Sequence, residues 1–221
     1  MADTNDGDSI LVLGLGRFGG AIAETLTELG REVLAVDADH KIVQSYAGRL
    51  THVVEADTTS EEALRQIGAG EFDCAVVGIG TNIEASILTT SVLVDLGVST
   101  IWAKAISVSH GRILERVGAT HVVLPEHEMG ERVAHLVAGR ALNYIEFENG
   151  FALVETTPPR EYVGKTLGEA GIRTEHGVTV VAIKRRGEDF SYATPDSVIG
   201  DDDLLIVAGK SKLAERFAAR A

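Results

Sequence analysis

The sequence predicts an α/β protein in which a doubly wound parallel sheet is followed by a small α+β module. Three observations carry this prediction. Up to about residue 140, six short apolar runs alternate with segments of helical spacing. The first run, Ile10-Leu11-Val12-Leu13, breaks into Gly14-Leu15-Gly16-Arg17-Phe18-Gly19, a G-x-G-x-x-G turn. Beyond residue 140 the apolar runs are more widely broken by turn residues. Strands that are apolar on both faces belong to parallel sheets covered by helices, whose ligands sit at the carboxyl ends of the strands.

The predicted strands of the first part are residues 10–13, 32–36, 51–55, 73–79, 100–103 and 121–124, each rich in Val, Ile, Leu or Ala. Ala21, Ile22, Thr25, Leu26 and Leu29 form a helical stripe ended by Gly30, and residues 85–96 form another ended by Gly97. Residues 126–140 read as one more helix and 141–147 as a strand. Then the pattern changes: 151–156, 178–184, 190–193 and 204–207 read as short strands, and only 166–170 and 211–219 as helical. Pro158-Pro159, Gly187 and Asp201-Asp202-Asp203 punctuate them.

Composition narrows the class. With 221 residues, 45% of them hydrophobic, the chain holds one large core or two small ones. No run approaches the ~18 to 20 apolar residues of a membrane span. Residues 1–8 lack the charge and apolar centre of a signal peptide, which predicts a cytoplasmic protein with a short disordered start. The single Cys74 has no intrachain partner, fits a reducing compartment, and reads as strand filler rather than a nucleophile. A net charge of −13 opposes binding by phosphate neutralisation, so no nucleic-acid partner is expected. Residues 1–150 carry 22 acids and 10 bases whereas 151–221 carry 11 and 10, a composition shift near Asn149-Gly150.

The glycine turn has a physical reading. Gly14 permits the tight turn, Gly16 removes a side chain where a pyrophosphate would approach, and Gly19 lets the helix beginning near Arg17 pack on the strand. That helix offers its first N–H groups to a phosphate, although glycine turns also serve plain packing. Asp37 ends the second strand 18 residues after Gly19, where an acid accepts from ribose hydroxyls and disfavours a 2′-phosphate; the alternative is an N-cap. Asp39 either shares the ribose or is a solvated turn acid. Asp57 and Thr58, after the third strand, either lie beside an adenine ring or form a capping turn before Ser60. The fourth strand ends in Gly78-Ile79-Gly80-Thr81-Asn82, a second glycine loop that could lie beside the phosphates.

Two cations complete the constellation. Lys104, after the fifth strand, either reaches a terminal phosphate or is a solvated surface lysine. Arg17, between the second and third glycines, could contact a ligand phosphate or a neighbouring subunit, and a dehydrogenase has no need of it. Two other motifs fall away. His127-Glu128-Met129-Gly130-Glu131 begins like a zinc-protease helix, but Glu131 stands where the second histidine is required. Ser107-Val108-Ser109-His110 lacks a nucleophile elbow and an orienting acid, and reads as a helix cap.

Together, GLGRFGG at 14–20, VLAVD ending at Asp37, EADTT around Asp57, VVGIGTNIEAS at 76–86, IWAKA at 101–105 and GATHVVLPEHEMG at 118–130 resemble a known family. It is the KtrA/TrkA-type (RCK) regulatory subunits of bacterial potassium transporters, and the resemblance covers nearly the whole chain after Gly7. It implies a Rossmann-like RCK N-terminal domain over 8–140, with a crossover helix at about 126–140, and an RCK C-terminal domain over 141–221. It also implies a non-catalytic protein, dimeric and assembled into an octameric ring. The ring would dock on a membrane-embedded potassium-translocating subunit at the inner face of the cell membrane, with ATP favouring the active and ADP the inactive conformation.

The resemblance assigns roles residue by residue. Gly14, Gly16, Phe18 and Gly19 would lie under the phosphates with Gly78, Gly80 and Asn82 beside them, Asp37 on the ribose and Lys104 near the phosphates. Arg17 would meet the γ-phosphate across the dimer, and Glu126 would help hold a magnesium, calcium or sodium ion with the nucleotide. TrkA-type members favour NADH or NAD; the single domain pair and the RFGG form here point to ATP/ADP. Some members bind cyclic di-AMP in the C-terminal domain, where Ile172-Arg173 matches, or these are a buried Ile beside an exposed loop Arg. An NAD-dependent oxidoreductase is the alternative from another class. It requires a general acid or base opposite the nicotinamide, and residues 141–221 offer no obvious candidate.

Overall fold

The computed structural model describes residues 9–139 and 141–221. Residue 8 at the expected domain start, the expected disordered start before it, and Arg140 lie outside the described residues. Internal contacts group residues up to Glu126 into one compact unit and His127–Ala221 into another.

The first unit alternates strands and helices: β1 (Ser9–Leu13), α1 (Arg17–Glu28), β2 (Glu32–Asp37), α2 (His40–Tyr46), β3 (His52–Glu55), α3 (Glu61–Gln66), β4 (Cys74–Val77), α4 (Ile83–Asp95), β5 (Thr100–Lys104), α5 (Val108–Val117) and β6 (His121–Val123). The strands form one six-stranded sheet in the order β3-β2-β1-β4-β5-β6, with every neighbouring pair parallel. This is a Rossmann-like doubly wound sheet. Leu11, Val12 and Leu13 are fully buried because the two faces of β1 serve separate cores. Leu11 and Leu13 pack with Val77, Leu93, Ile101 and Leu114, while Val12 packs with Leu15, Ala23, Val33 and Ala35. A strand with two buried faces reads as an unbroken apolar run, which is the pattern of 10–13.

Strand order reverses between β1 and β4, where Leu13 stands opposite Val77. Their following loops therefore leave the sheet side by side, the place where doubly wound folds bind ligands. The expected strand 73–79 is shorter at its carboxyl end: Gly78 donates its N–H to the Leu13 carbonyl at 2.7 Å, and the chain then departs into its loop.

In the second unit α6 (Pro125–Ala138), whose first two residues group with the first unit, leads into β7 (Asn143–Phe147) and β8 (Phe151–Thr156). There follow α7 (Leu167–Ala170), α8 (Ile172–His176), β9 (Val178–Lys184), β10 (Phe190–Tyr192), β11 (Leu204–Lys210) and α9 (Ser211–Ala218). The five-stranded sheet is antiparallel, in the order β10-β9-β11-β8-β7. Phe217 of α9, Leu205, Val207, Ile199, Ile172 and Tyr162 form its core. The expected strand 204–207 runs on to Lys210, because β11 is central and pairs with β8 from Leu205 to Lys210.

Candidate nucleotide site

The two glycine loops close on each other at the switch point. Gly14 has φ +89°, a conformation side chains resist, and a Cβ there would stand 2.8 Å from the Ile79 side chain. A Cβ on Gly19 would overlap the Gly14 carbonyl oxygen, and one on Gly78 would lie 2.8 Å from the same oxygen. Gly16 differs: nothing lies within 4 Å of the position its Cβ would take. Three glycines thus permit close packing, and Gly16 leaves open space over the start of α1.

That helix start lacks a side-chain cap. Gly16 is its N-cap and offers no acceptor, whereas α2, α3, α4 and α5 are capped by Asp39, Ser60, Asn82 and Ser107. A helix end with no side-chain acceptor, open space above it and the positive end of the macrodipole is suited to an anion.

At the end of β2, Asp37 is half-buried and tied to the glycine turn: Oδ2 accepts from the Leu15 N–H at 2.7 Å and Oδ1 from the Asp39 N–H at 2.8 Å. Asp39 is occupied as the α2 cap, accepting from the Lys41 N–H at 2.8 Å. Next to Asp37 in the parallel register stands Glu55, whose Oε2 lies 2.6 Å from His40 Nδ1. This pair was not anticipated, although two adjacent strand ends carrying acids hinted at it. Asp57 is exposed and accepts from the hydroxyl and N–H of Thr59 at 2.7 and 2.9 Å. The Thr59 hydroxyl is the main cause that holds its carboxyl below the usual range.

Thr58 departs from expectation. It is buried and shares a 2.9 Å hydrogen bond with Thr89 Oγ1, so its hydroxyl faces α4 instead of an adenine ring. Buried Thr89 of α4 gives it an internal partner, leaving Asp57 and Thr59 as the polar groups of this turn that are less buried. Asn82 is exposed and caps α4 through the Ala85 N–H at 3.1 Å.

Lys104 ends β5 with its side chain only 12% exposed, unlike a solvated surface lysine. Its Nζ lies 2.7 Å from Glu126 Oε1 and 5.6 Å from the Phe18 ring centroid, and a Cβ on Gly80 would stand 3.1 Å from it. Glu126 is exposed. Its carboxyl is held below its ordinary range chiefly by the Lys104 hydrogen bond, with the charge of Arg17 adding to the effect. Arg17 is exposed in the first turn of α1. Gly14, Gly16, Phe18, Gly19, Gly78, Gly80, Lys104 and Glu126 therefore gather at one end of the sheet, with Asp37 joined to them through Leu15.

The pair Ile172-Arg173 is divided and helical. Ile172 is core, Arg173 alone is exposed, and both lie on α8 where a loop Arg had been the plain alternative. Among the described residues there is no group of three or more His, Cys, Asp or Glu able to hold a metal ion, so Glu126 stands as a lone candidate ligand. Cys74 is half-buried and burial pushes its thiol pKa up, which makes it a poor nucleophile. A concavity of about 370 Å³ adjoins the gathered site residues, lined by Phe18 and Lys104 together with the apolar Ile10, Ile22, Trp102 and Val123. No helix among the described residues is long and apolar enough to cross a membrane.

An uncapped helix start under two interlocked glycine loops, with an acid at the neighbouring strand end, defines a doubly wound α/β domain with a candidate anion site, carrying a small second module. Residues 10–125 match the TrkA-N domain and residues 151–221 the TrkA-C domain. The chain is 42% identical over 210 residues to Ktr system potassium uptake protein C of Bacillus subtilis, covering 95% of each chain. It is 38% identical over 207 residues to Ktr system potassium uptake protein A of the same organism, covering 93% of each. The GsuK channel bound to NAD superposes with a TM-score of 0.65 at 20% identity over 100% of this chain and 40% of that one. GsuK bound to ADP does so with 0.52 at 24% identity over 61% and 35%. These likenesses to GsuK concern the fold, and this chain spans less than half of the channel. The chain belongs to the KtrA/TrkA-type family of potassium-uptake regulatory subunits.

Proposed function

We propose that the protein is a nucleotide-responsive regulatory subunit that gates a membrane-embedded potassium-translocating partner from the cytoplasmic side and catalyses no reaction. The observation that carries this reading is the uncapped start of α1 beneath Gly16, with the Lys104 ammonium held over Phe18 in the same turn. Asp37 would take the ribose, Asp57 would approach the base, and Arg17 would meet a terminal phosphate.

A ligand moves a two-state protein only by binding the states unequally. ATP and ADP differ by one phosphate, and Arg17 is an exposed guanidinium beside the cradle, suited to read that difference. ATP would thus favour the active conformation and ADP the inactive one, with Glu126 and a bound cation balancing phosphate charge. Self-association supplies the second half of the device. Trp102 is 39% exposed at the mouth of the apolar concavity, and α6 leaves Met129, Val133 and Val137 exposed, so a dimer, and a ring of dimers, would cover both.

NAD or NADH is the second reading, favoured by the NAD-bound neighbour of the same fold. Extraction of nucleotide from the purified protein, followed by thermal titration with ATP, ADP and NADH, separates the two, since the preferred ligand raises the melting temperature most. Equal ring conformations and equal potassium flux with ATP and ADP in reconstituted vesicles would overturn the gating reading.

A further inference from the structure

We propose that the Lys104–Glu126 ion pair is an intrasubunit latch that the phosphates of an incoming nucleotide must open, and that Gly80 and Phe18 are the positioning residues that set it. This rests on the nucleotide reading above and concerns how that site is regulated.

The Lys104 stem emerges from the end of β5 and runs beside Gly80, where a Cβ would press on Nζ, Cε and Cδ at 3.1 to 3.4 Å. Phe18, in the first turn of α1, stands under the ammonium at 5.6 Å. The ammonium thereby lies over Phe18, a residue in the first turn of the helix that lacks a side-chain cap. Yet its hydrogen bond goes to Glu126 Oε1 at 2.7 Å. A carboxylate and a phosphate thus seek one cation, and both are negative, so they repel each other at the distance that would let them share it.

Opening the pair has a structural consequence. Glu126 follows Pro125 at the start of α6, so releasing its carboxylate alters the first turn of that helix. Further along α6, Arg132 bonds Asn143 Oδ1 at 2.5 Å and His135 Nδ1 lies 2.7 Å from Glu215 Oε1, both within the second compact unit. The helix whose first turn the phosphate disturbs is the one anchored in the C-terminal unit. A divalent cation between Glu126 and the phosphates removes the repulsion, and so relieves the competition without breaking the fold.

The test uses the full chain and ADP as probe, with calorimetry in the absence and presence of magnesium and hydrogen exchange across residues 125–131. Glu126→Gln is expected to bind magnesium-free ADP about threefold more tightly than the unmodified chain, or better, and to lose the gain that magnesium brings. In the unmodified chain ADP should speed exchange at residues 129–131, the first amides of α6 whose helical acceptors lie in its opening turn. In Glu126→Gln that exchange should be fast already. Gly80→Ala, which crowds the end of the Lys104 side chain by a few tenths of an ångström and leaves Glu126 intact, should weaken the pair and speed this exchange part of the way without nucleotide. Equal ADP affinities with nucleotide-independent exchange overturn the latch alone. Slow exchange in ligand-free Gly80→Ala overturns the positioning role. Absence of ADP binding by all three proteins overturns the ADP reading and with it the latch.

Discussion

Asp37 holds Leu15: the carboxylate at the end of β2 accepts the backbone N–H inside the glycine turn after β1, at 2.7 Å and across 22 residues of sequence. The acid that would bind a ribose is therefore also a strut of the glycine turn. The other oxygen accepts from the Asp39 N–H at 2.8 Å, so both carboxylate oxygens are committed to backbone before any ligand arrives.

Asp37→Ala should lower the melting temperature even without ligand. It strands the N–H of buried Leu15, at a cost of about 1–3 kcal/mol, or several degrees for a chain of this size at roughly 2–4 °C per kcal/mol. Calorimetric melting of ligand-free protein decides it, because a purely ligand-binding acid would leave that melting temperature unchanged.

The glycines should separate into two kinds. Gly78→Ala forces a Cβ to 2.8 Å from the Gly14 carbonyl oxygen and should destabilise the fold by about 1–3 kcal/mol. Gly16→Ala meets no neighbour within 4 Å and should cost at most about 1 kcal/mol as a changed N-cap. Its ADP affinity should fall nonetheless, since the new methyl enters the space over α1. Urea melts paired with ADP titrations distinguish them; a strongly destabilised Gly16→Ala would refute the open cradle.

Acid should weaken the first unit through His110. This residue is 2% exposed, its Nε2 has no hydrogen-bond partner, and burial pushes its pKa below 6.5. The unfolded chain gains a proton below about pH 6.5 that the folded chain refuses. Stability from this group is unaffected above that pH and declines as pH falls toward the folded pKa, by at most about 1.4 kcal/mol per unit. His110→Asn should show a shallower loss of melting temperature between pH 7.5 and 5.5, and parallel curves for the two proteins would remove His110 as the cause.

Trp102→Glu and Val133→Glu should each raise the dissociation constant for self-association by about tenfold or more, because burying an unpaired carboxylate exceeds ~1.4 kcal/mol. Val133 is exposed, so its substitution should leave folding unaffected, whereas Trp102 stacks on His121 and its substitution should also lower the melting temperature. Sedimentation equilibrium beside circular dichroism checks this, and an unchanged assembly would show that neither surface is shared between copies.

Much of the site was legible because spacing along a strand translates directly into place. Gly14, Gly16, Gly19 and Asp37 follow strands whose apolar runs locate their carboxyl ends. Side-chain commitments were less legible. Thr58 and Asp57 are neighbours in sequence, yet one is spent on Thr89 inside the protein and the other stays exposed. Neither α2, with seven residues, nor α3, with six, is long enough to display an apolar stripe.

By itself, then, the sequence determined the family and the strand-and-glycine frame, since these depend on local order and composition. Only the tertiary structure decided that Lys104 is bonded to Glu126, 22 residues away, that Asp39 and Asn82 are spent as caps, and that Ile172 is core while Arg173 is exposed. Hydrogen-bond partners and burial are properties of neighbours brought together by folding, and no periodicity along the chain encodes which acceptor a given donor will find.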